Sequence, residues 1–580
     1  SGVSPGTAGA ISPPFRGMTL TANLNLTSDN TREADLYSIF GSGASTDGMA
    51  YVYQSRMFAV NQQYLAEYKT DFGGSDHNID VLAGYEEYNR KSQSLWGQKD
   101  HLFNPVVGEL GNGDGTSGTR TSSGTNTYKS KGFLARAQYD YANKYFLSGS
   151  FRRDASSRFA PGHQWGNFWS AGGAWLISNE EFLRNNGVID MLKLKVSYGQ
   201  QGNDNLGSLY PWADQYTHSY NEETGEYSLV LSYKGNEDLT WETSKSFNVG
   251  LDFEIFHGVL NGTVEYFSRK TEDLLYSKNV PFSAGNPTGV VPVNVGDIMN
   301  RGFEVSLDGN IINTKNVRWN WNVNLSHYKN TILSLDPSVS ENGIKGSNFI
   351  YEIGGSLYDA YMYKFAGVNQ ETGYPLYWKH VEEKDDDGKI TNEYDETTDV
   401  FDQATKYKLG SVMPKLYGGF GTSLNAYGFD LSAQCSFQLG GKYYDGSYQQ
   451  LMWTQDQKGS AWHRDALKAW TPENPSNEIP RNGVYAEAQS ATDRFLVSSN
   501  YLSINNVTVG YTFPTKWTNK IAISQLRLYV AGENLAVFSV RKGMDPRYSM
   551  GLGTMTSGAG LTSSAYAPMR TITGGISLTF

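Results

Sequence analysis

The last ten residues, Thr571 to Phe580, alternate without interruption: Ile572, Ile576, Leu578 and Phe580 fall on one side, and Thr571, Thr573, Ser577 and Thr579 on the other. Successive strand side chains point to opposite faces, so this segment has one apolar wall and one hydroxyl-lined wall. A strand standing between lipid and a wet interior needs that arrangement. Its length matches the roughly 9 to 11 residues that a tilted strand uses to cross a bilayer's hydrocarbon core.

The alternation recurs along the chain. Phe133, Ala135, Ala137, Tyr139 and Tyr141 oppose Arg136, Gln138 and Asp140; Leu192, Leu194, Val196 and Tyr198 oppose Lys193, Lys195 and Ser197. Phe247 to Ile255 and Val317 to Leu325 repeat it with Asp252, Glu254 and Arg318 on the polar side, and Phe429 to Leu439 repeats it again. One wall is free of charge throughout. Soluble β-sandwiches alternate in the same way, and connection lengths separate the two readings. Tight turns at Ala142 to Lys144, His257 to Gly258, Asn313 to Asn316 and Tyr427 to Gly428 are each followed, one strand later, by a longer connection. The longest run from Gln201 to Thr240, Thr271 to Asp297, Thr331 to Met413, Gly441 to Val497 and Ala536 to Pro568. Short periplasmic turns alternating with long extracellular loops mark an outer-membrane β-barrel; unstructured connections of this length are uncommon in compact soluble domains.

Composition permits this reading. No stretch approaches 18 consecutive apolar residues, which excludes helical spans, and the mean hydropathy of -0.49 suits strands that average apolar with polar. A net charge of -11 argues against a nucleic-acid surface. Cys435 is the one cysteine, so no disulfide forms within the chain, and it reads as an inert apolar side chain on the charge-free wall.

Counting back from Phe580 predicts an all-β fold of about sixteen antiparallel strands, near 15–27, 56–72, 77–89, 131–141, 145–156, 165–177, 191–200, 242–256, 259–270, 299–312, 317–330, 415–426, 429–440, 498–513, 521–535 and 569–580, with both chain ends on the periplasmic side. The stretch Ser356 to Trp378 is a candidate for extra strands. Asn505 and Asn506 break the phase between Ile504 and Val507, which predicts a bulge. Tyr139, Tyr141 and Tyr145 meet at one tight turn, where amphipathic rings suit an interfacial girdle.

Several blocks resemble the SusC-like TonB-dependent transporters of Bacteroidetes, the SusC/RagA family. They include FLARAQYDYANKYFLSGSFRRDASSRF at Phe133 to Phe159, WGNFWSAGGAWLISNEEFL at Trp165 to Leu183, LKLKVSYGQQGN at Leu192 to Asn203, and LTWETSKSFNVGLDF at Leu239 to Phe253. NVGDIMNRGFEVSL at Asn294 to Leu307, YLSINNVTVGYTFP at Tyr501 to Pro514 and LYVAGENLAVFS at Leu528 to Ser539 extend the likeness in the same order over essentially the whole chain. The resemblance implies a barrel of about 22 strands enclosing an N-terminal plug. It also implies import of large nutrients on force from the TonB complex, a SusD-like surface lipoprotein capturing oligosaccharide, and a dimer of SusC–SusD pairs. Signal peptide, TonB box and plug do not occur in these 580 residues. The expectation is therefore that residues 1–580 form the C-terminal part of the barrel of a longer product, with an even number of strands upstream.

On this reading Arg136, Arg152, Asp154, Lys193, Asp252, Glu304 and Arg318 face the lumen or the plug, because charge on the lipid side costs about 2 to 4 kcal/mol at mid-bilayer. The loops carry rings suited to the C–H face of a sugar, a lipoprotein partner or loop packing: Tyr210, Trp212, Tyr216, Trp378, Tyr444, Trp453 and Trp462 are the substrate candidates, with Tyr443 and Trp470 beside them. AWHRDALKAW, Ala461 to Trp470, reads as a short amphipathic loop helix; its HRD triplet lacks the rest of a kinase site.

Glu383, Asp385, Asp387 and Gly388 imitate the centre of a calcium loop, but Tyr394 stands where the bidentate glutamate belongs. A solvated acidic turn is the simpler reading, with Asp385 and Asp387 kept as a weak Ca2+ candidate and no cofactor otherwise expected. The eight His residues show no paired metal spacing, and nothing forms a catalytic constellation. Peptide is the competing cargo. A non-transporting surface-binding or adhesion barrel and a secreted β glycanase are the readings from other classes; the glycanase requires paired carboxylates in a cleft.

Overall fold

The computed structural model describes residues 17–37, 48–547 and 568–580, apart from 75, 105, 115–118, 185, 222, 285, 287, 338–342, 347, 453–460, 484–491 and 542–544. Sixteen strands form one sheet in chain order. They are β1 (Met18–Tyr37), β2 (Met49–Phe72), β3 (His77–Asp100), β4 (Arg120–Tyr141), β5 (Tyr145–Ser156), β6 (Trp165–Leu176), β7 (Ile189–Asn203) and β8 (Glu242–Ile255). The series continues with β9 (Leu260–Glu272), β10 (Asp297–Asn313), β11 (Val317–Ser334), β12 (Leu416–Ala426), β13 (Phe429–Leu439), β14 (Tyr501–Thr512), β15 (Gln525–Ser539) and β16 (Thr571–Thr579). Each expected strand has its counterpart. Among the described residues β1 pairs only with β2, and β16 only with β15. Among the described residues no helix is long and apolar enough to cross a membrane.

The tight turns fall where the alternation breaks. Ala142 and Asn143 take φ of 54° and 51°, and the Lys144 N–H donates to the Tyr141 carbonyl at 2.9 Å. Such left-handed turns match the right-handed twist of the flanking strands. At Tyr427 and Gly428 the φ values are 52° and 92°, and glycine takes the second without the Cβ penalty. The Asn505 bulge is present: the register shifts between Gln434 and Cys435 on one side and between Ile504 and Asn506 on the other.

The first four strands correct the expected boundaries. β1 runs on past Thr27 to Tyr37, β2 starts at Met49, β3 reaches Asp100 and β4 starts at Arg120, all in continuous register. The outer portions of β1 and β4 are mostly polar on both faces, so no apolar wall marks them in the sequence, while Met49 to Tyr53 on β2 is apolar without alternation; the backbone ladder extends all four, and Tyr51 packs on Trp96 at 5.7 Å.

The chain divides into two compact units, one of Ser1–Asn179, Lys195–Phe247 and Thr271–Val295, the other of Glu180–Leu194, Asn248–Lys270 and Gly296–Phe580. In the first unit the charge-free face exposes Tyr64, Tyr68, Val81, Phe133, Tyr141, Leu147, Phe151 and Trp169. So large an apolar exposure needs a covering medium. Where the turns gather, Phe72 stacks on His77 (4.5 Å), His77 meets Tyr141 (4.8 Å), and Tyr141, Tyr145 and Trp175 follow at 6.3 Å intervals. The His77 imidazole also hydrogen-bonds the Tyr139 hydroxyl at 2.7 Å. The tyrosine cluster is thus part of an aromatic row, as an interfacial girdle requires.

Loops fold on themselves. In the first unit Gln215–Asn221 pairs with Glu226–Tyr233, and Leu275–Asn279 with Val290–Asn294. In the second, Asp359–Tyr363 pairs with Lys406–Ser411, Phe365–Val368 leads a three-stranded sheet with Pro375–Lys384 and Ile390–Thr398, and Lys442–Tyr444 pairs with Leu496–Ser498. The stretch from Ser356 to Trp378 therefore does form strands, but they pair within the loop layer and add nothing to the wall. A core of Phe349, Tyr358, Ala360, Met362, Val412, Tyr444 and Phe495 holds this layer together. The segment expected as a loop helix is a single 3₁₀ piece, Arg464–Lys468, capped by the His463 ring accepting from the Asp465 N–H at 3.2 Å.

Candidate functional site: a paired polar wall and a loop layer

Directly opposed residues in an antiparallel pair share a face, and register assembles the polar face of β2–β5 from residues far apart in sequence. Lys69 Nζ lies 2.9 Å from Glu67 and 3.7 Å from Asp80; the Arg136 guanidinium lies 3.5 Å from Asp80 and 3.8 Å from Glu67. Further along the strands Arg152 bridges Asp154 at 2.9 Å and Glu86 at 3.0 Å. Charged groups flanked by opposite charge can line a wet channel without attracting every ion of one sign. Asp80 Oδ1 and Arg136 Nε are enclosed within this network without a hydrogen-bond partner, a cost that the surrounding ion pairs offset.

Where β4, β5 and β7 leave the sheet, Asp204 gathers a hub. Its carboxylate accepts from Ser156 Oγ (2.6 Å), Tyr128 Oη (2.8 Å) and Arg158 Nη1 (3.3 Å), and Arg158 also reaches Asn205 Oδ1 at 2.8 Å. In the second unit the bulge turns Asn505 toward Ser503 Oγ (2.7 Å) and Arg547 (3.3 Å), while Arg547 grips Asp545 at 2.6 Å. Arg541 pairs with Asp445 and lies 3.6 Å over the Tyr448 ring.

Of the expected polar residues, Arg136, Arg152 and Asp154 enter the paired network. Asp252 accepts from Thr263 Oγ1 at 3.0 Å, Lys193 is half-buried, and Glu304 and Arg318 are exposed. The network's partners Glu67, Asp80 and Glu86 lie inside the expected strands 56–72 and 77–89, where alternation places them on the polar side, but only register reveals which cation each one meets. Nothing local in the sequence marks Asp204, whose partners come from three separate strands and turns.

The expected loop rings separate by burial. Tyr444, 2% exposed, belongs to the loop core and offers no face to a ligand. Tyr210 is a staple: its hydroxyl accepts from the Thr127 N–H at 2.9 Å and donates to the Thr127 carbonyl at 3.3 Å. Trp212 is half-buried, with an indole N–H that is enclosed and unpartnered. Tyr216 is exposed in the first unit, where Tyr220 and Tyr227 pack at 4.7 Å as a further exposed pair. In the second unit Trp462 is exposed, and Trp378 is half-buried beneath Lys364 Nζ at 5.7 Å. Tyr443 and Trp470 are buried; Trp453 lies outside the described residues.

In the acidic hairpin Asp385 Oδ1 accepts the N–H groups of Asp387 (3.2 Å) and Lys389 (2.8 Å). Its carboxylate thus closes a turn, and no group of three metal-ligating side chains gathers among the described residues. Nearby, His380 and Tyr407 hydrogen-bond Asp395 and hold its carboxyl below the usual range, while burial and that same carboxylate push the Tyr407 phenol up to about 12. Asp493 is shifted the other way, raised by burial even though it accepts from the Phe365 N–H at 2.7 Å.

A sheet with one apolar exposed face, one paired polar face and a folded loop layer is the architecture of an outer-membrane β-barrel receptor. The family described as TonB dependent receptor-like, beta-barrel, matches residues 12–535. The chain belongs to that family, and its place is the outer membrane. It is 27% identical to TonB-dependent receptor P3 of Formosa agariphila over 559 residues, covering 93% of this chain and 54% of that protein. Against TonB-dependent receptor SusC of Bacteroides thetaiotaomicron it is 26% identical over 434 residues, covering 72% and 41%. The solved RagAB peptide transporter superposes with a TM-score of 0.83 at 25% identity, over 98% of this chain and 61% of that one. The chain spans about half the length of the curated relatives it matches.

Proposed function

We propose that this chain supplies wall, lumen and loops of a TonB-dependent importer that takes up oligosaccharide together with a SusD-like surface lipoprotein. The observation that carries it is the paired polar face of β2–β5, backed on the same strands by a lipid face whose central band, from Tyr64 and Tyr68 to Phe133 and Leu147, is free of charge. In the whole protein the partly exposed ion pairs of this face, Lys69, Arg136 and Arg152 with their carboxylates, would meet an N-terminal plug. Contacts between polar groups that water can replace are released at little cost, which suits a plug pulled through the TonB complex. The unpaired outer edges of β1 and β16 would pair with further strands, since lipid does not tolerate open sheet edges. The exposed rings Tyr216 and Trp462, together with Trp378, are the groups available to a sugar or to the lipoprotein.

Peptide cargo is the second reading, favoured by the likeness to the RagAB peptide transporter. The test is to purify the native complex from outer membranes in mild detergent and identify every band and bound ligand by mass spectrometry. A co-purifying surface lipoprotein with bound glycan supports the proposal, and bound peptide moves it to the second reading. Extraction without detergent overturns both.

A further inference from the structure

The outward face of the first unit carries a second charge pattern. Along β2 the apolar series ends at Phe58 and is followed by Arg56; along β4 it ends at Phe133 and is followed by Lys131 and Lys129; along β5 it ends at Phe151 and is followed by Arg153. Lys91 on β3 stands opposite Phe58, and Arg153 opposite Phe133, so these cations share the lipid-facing side of the sheet. All five side chains are exposed. They lie at the end of the strands away from the Phe72–Trp175 aromatic row, hence at the outer leaflet.

On the inward face of the same strands Lys69, Arg136 and Arg152 each pair with carboxylates. The outward five form no ion pair among the described residues. Glu87 stands opposite Lys131 in register, but its carboxylate accepts instead from the Tyr85 hydroxyl at 3.0 Å. Lys131 and Arg153 rest over the Trp165 ring at 5.5 and 5.1 Å, which holds both heads at one level. Beside them a groove of about 530 Å³ is lined by Gln54, Arg56, Gln93, Leu95, Ser123 and Thr125. It is rich in amides and hydroxyls and carries one cation.

We propose that this border is a binding site for a phosphorylated glycolipid of the outer leaflet, with lipid phosphates on Lys91, Lys129, Lys131 and Arg153 and sugar hydroxyls in the groove beside Arg56. Unpaired cations placed just beyond an apolar band attract anionic headgroups, and the acyl chains then cover the band itself. The inference rests on the chain spanning the outer membrane and is independent of what the barrel imports.

The test uses the whole natural protein in phosphatidylcholine nanodiscs doped with lipid A, dephosphorylated lipid A or phosphatidylglycerol, and measures retained dopant per protein by mass spectrometry. Wild type should enrich lipid A over its bulk fraction on the order of tenfold. The variant carrying R56Q, K91Q, K129Q, K131Q and R153Q should fall to the bulk fraction. The pair K129R and K131R should retain enrichment, and K69Q on the inward face should leave it unchanged. Should the fivefold variant fail to fold, K129Q with K131Q should still lose more than half of the enrichment. Equal enrichment of phosphatidylglycerol or of the dephosphorylated lipid, displacement by millimolar inorganic phosphate, or full retention by a folded Gln variant would each overturn the proposal.

Discussion

The inward and outward faces of β2–β5 are built from alternate residues of the same four strands, yet their cations are partnered differently, with inward Arg90, which bonds Ser92 Oγ at 3.2 Å, as an exception. Inward, each of Lys69, Arg136 and Arg152 sits within 4 Å of a carboxylate. Outward, charge is absent across the apolar band, and at its border Arg56, Lys91, Lys129, Lys131 and Arg153 return without an ion pair among the described residues. The difference follows from the medium. A wet lumen tolerates charge but rewards local neutrality, hydrocarbon rejects it, and a headgroup layer supplies the counter-charge that the protein omits.

The contrast can be broken most strongly in the middle of the band. Ala137→Arg places a cation at mid-bilayer and should destabilise the inserted barrel by about 2 to 4 kcal/mol, read as a lowered urea midpoint for refolding into vesicles. Next comes the hub: Arg158 and Asp204 are each 16% exposed, so Arg158→Ala leaves a largely buried carboxylate and should cost about 2 kcal/mol. Faster proteolysis of the loop after Asn205 would register that loss. Arg152→Ala removes a half-exposed bridge and should cost about 1 kcal/mol or less. Arg153→Gln on the outward border, which removes only its contact with the exposed Trp165 ring, should shift stability by less than about 0.5 kcal/mol, read as the same urea midpoint.

The loop layer of the second unit sharpens the comparison through pH. Asp493 has its pKa raised by burial, so the folded loop holds a proton that the unfolded chain releases. Its contribution to stability is full below the ordinary carboxylate range of about 4 and is lost as pH rises through the raised value. Loop proteolysis should therefore accelerate as pH climbs through that window. Asp493→Asn, which keeps an acceptor for the Phe365 N–H, should remove this component.

The period-two pattern located all sixteen wall strands, the tight turns and the Asn505 bulge, because a strand at a lipid boundary writes its two media directly into alternate residues. The outer parts of β1–β4 were not legible, since they do not alternate: β1 and β4 are polar on both sides there, and Met49 to Tyr53 on β2 is apolar on both. Parity shows which side of the strand Arg136, Arg152 and Asp154 occupy, not which partners they meet. The burial of Tyr444 in the loop core was not legible, because a loop aromatic looks the same in sequence whether it packs inward or faces solvent.

The sequence by itself determined the class of fold, which face of each strand meets lipid, and the family. Only the tertiary structure decided which carboxylate answers which cation, that Asp204 collects Tyr128, Ser156 and Arg158, and that five outward cations form no ion pair among the described residues. Alternation is a local consequence of strand geometry and survives in any short window. Charge pairing depends on register between strands, and register emerges only when the backbone ladder brings residues distant in the chain to the same level.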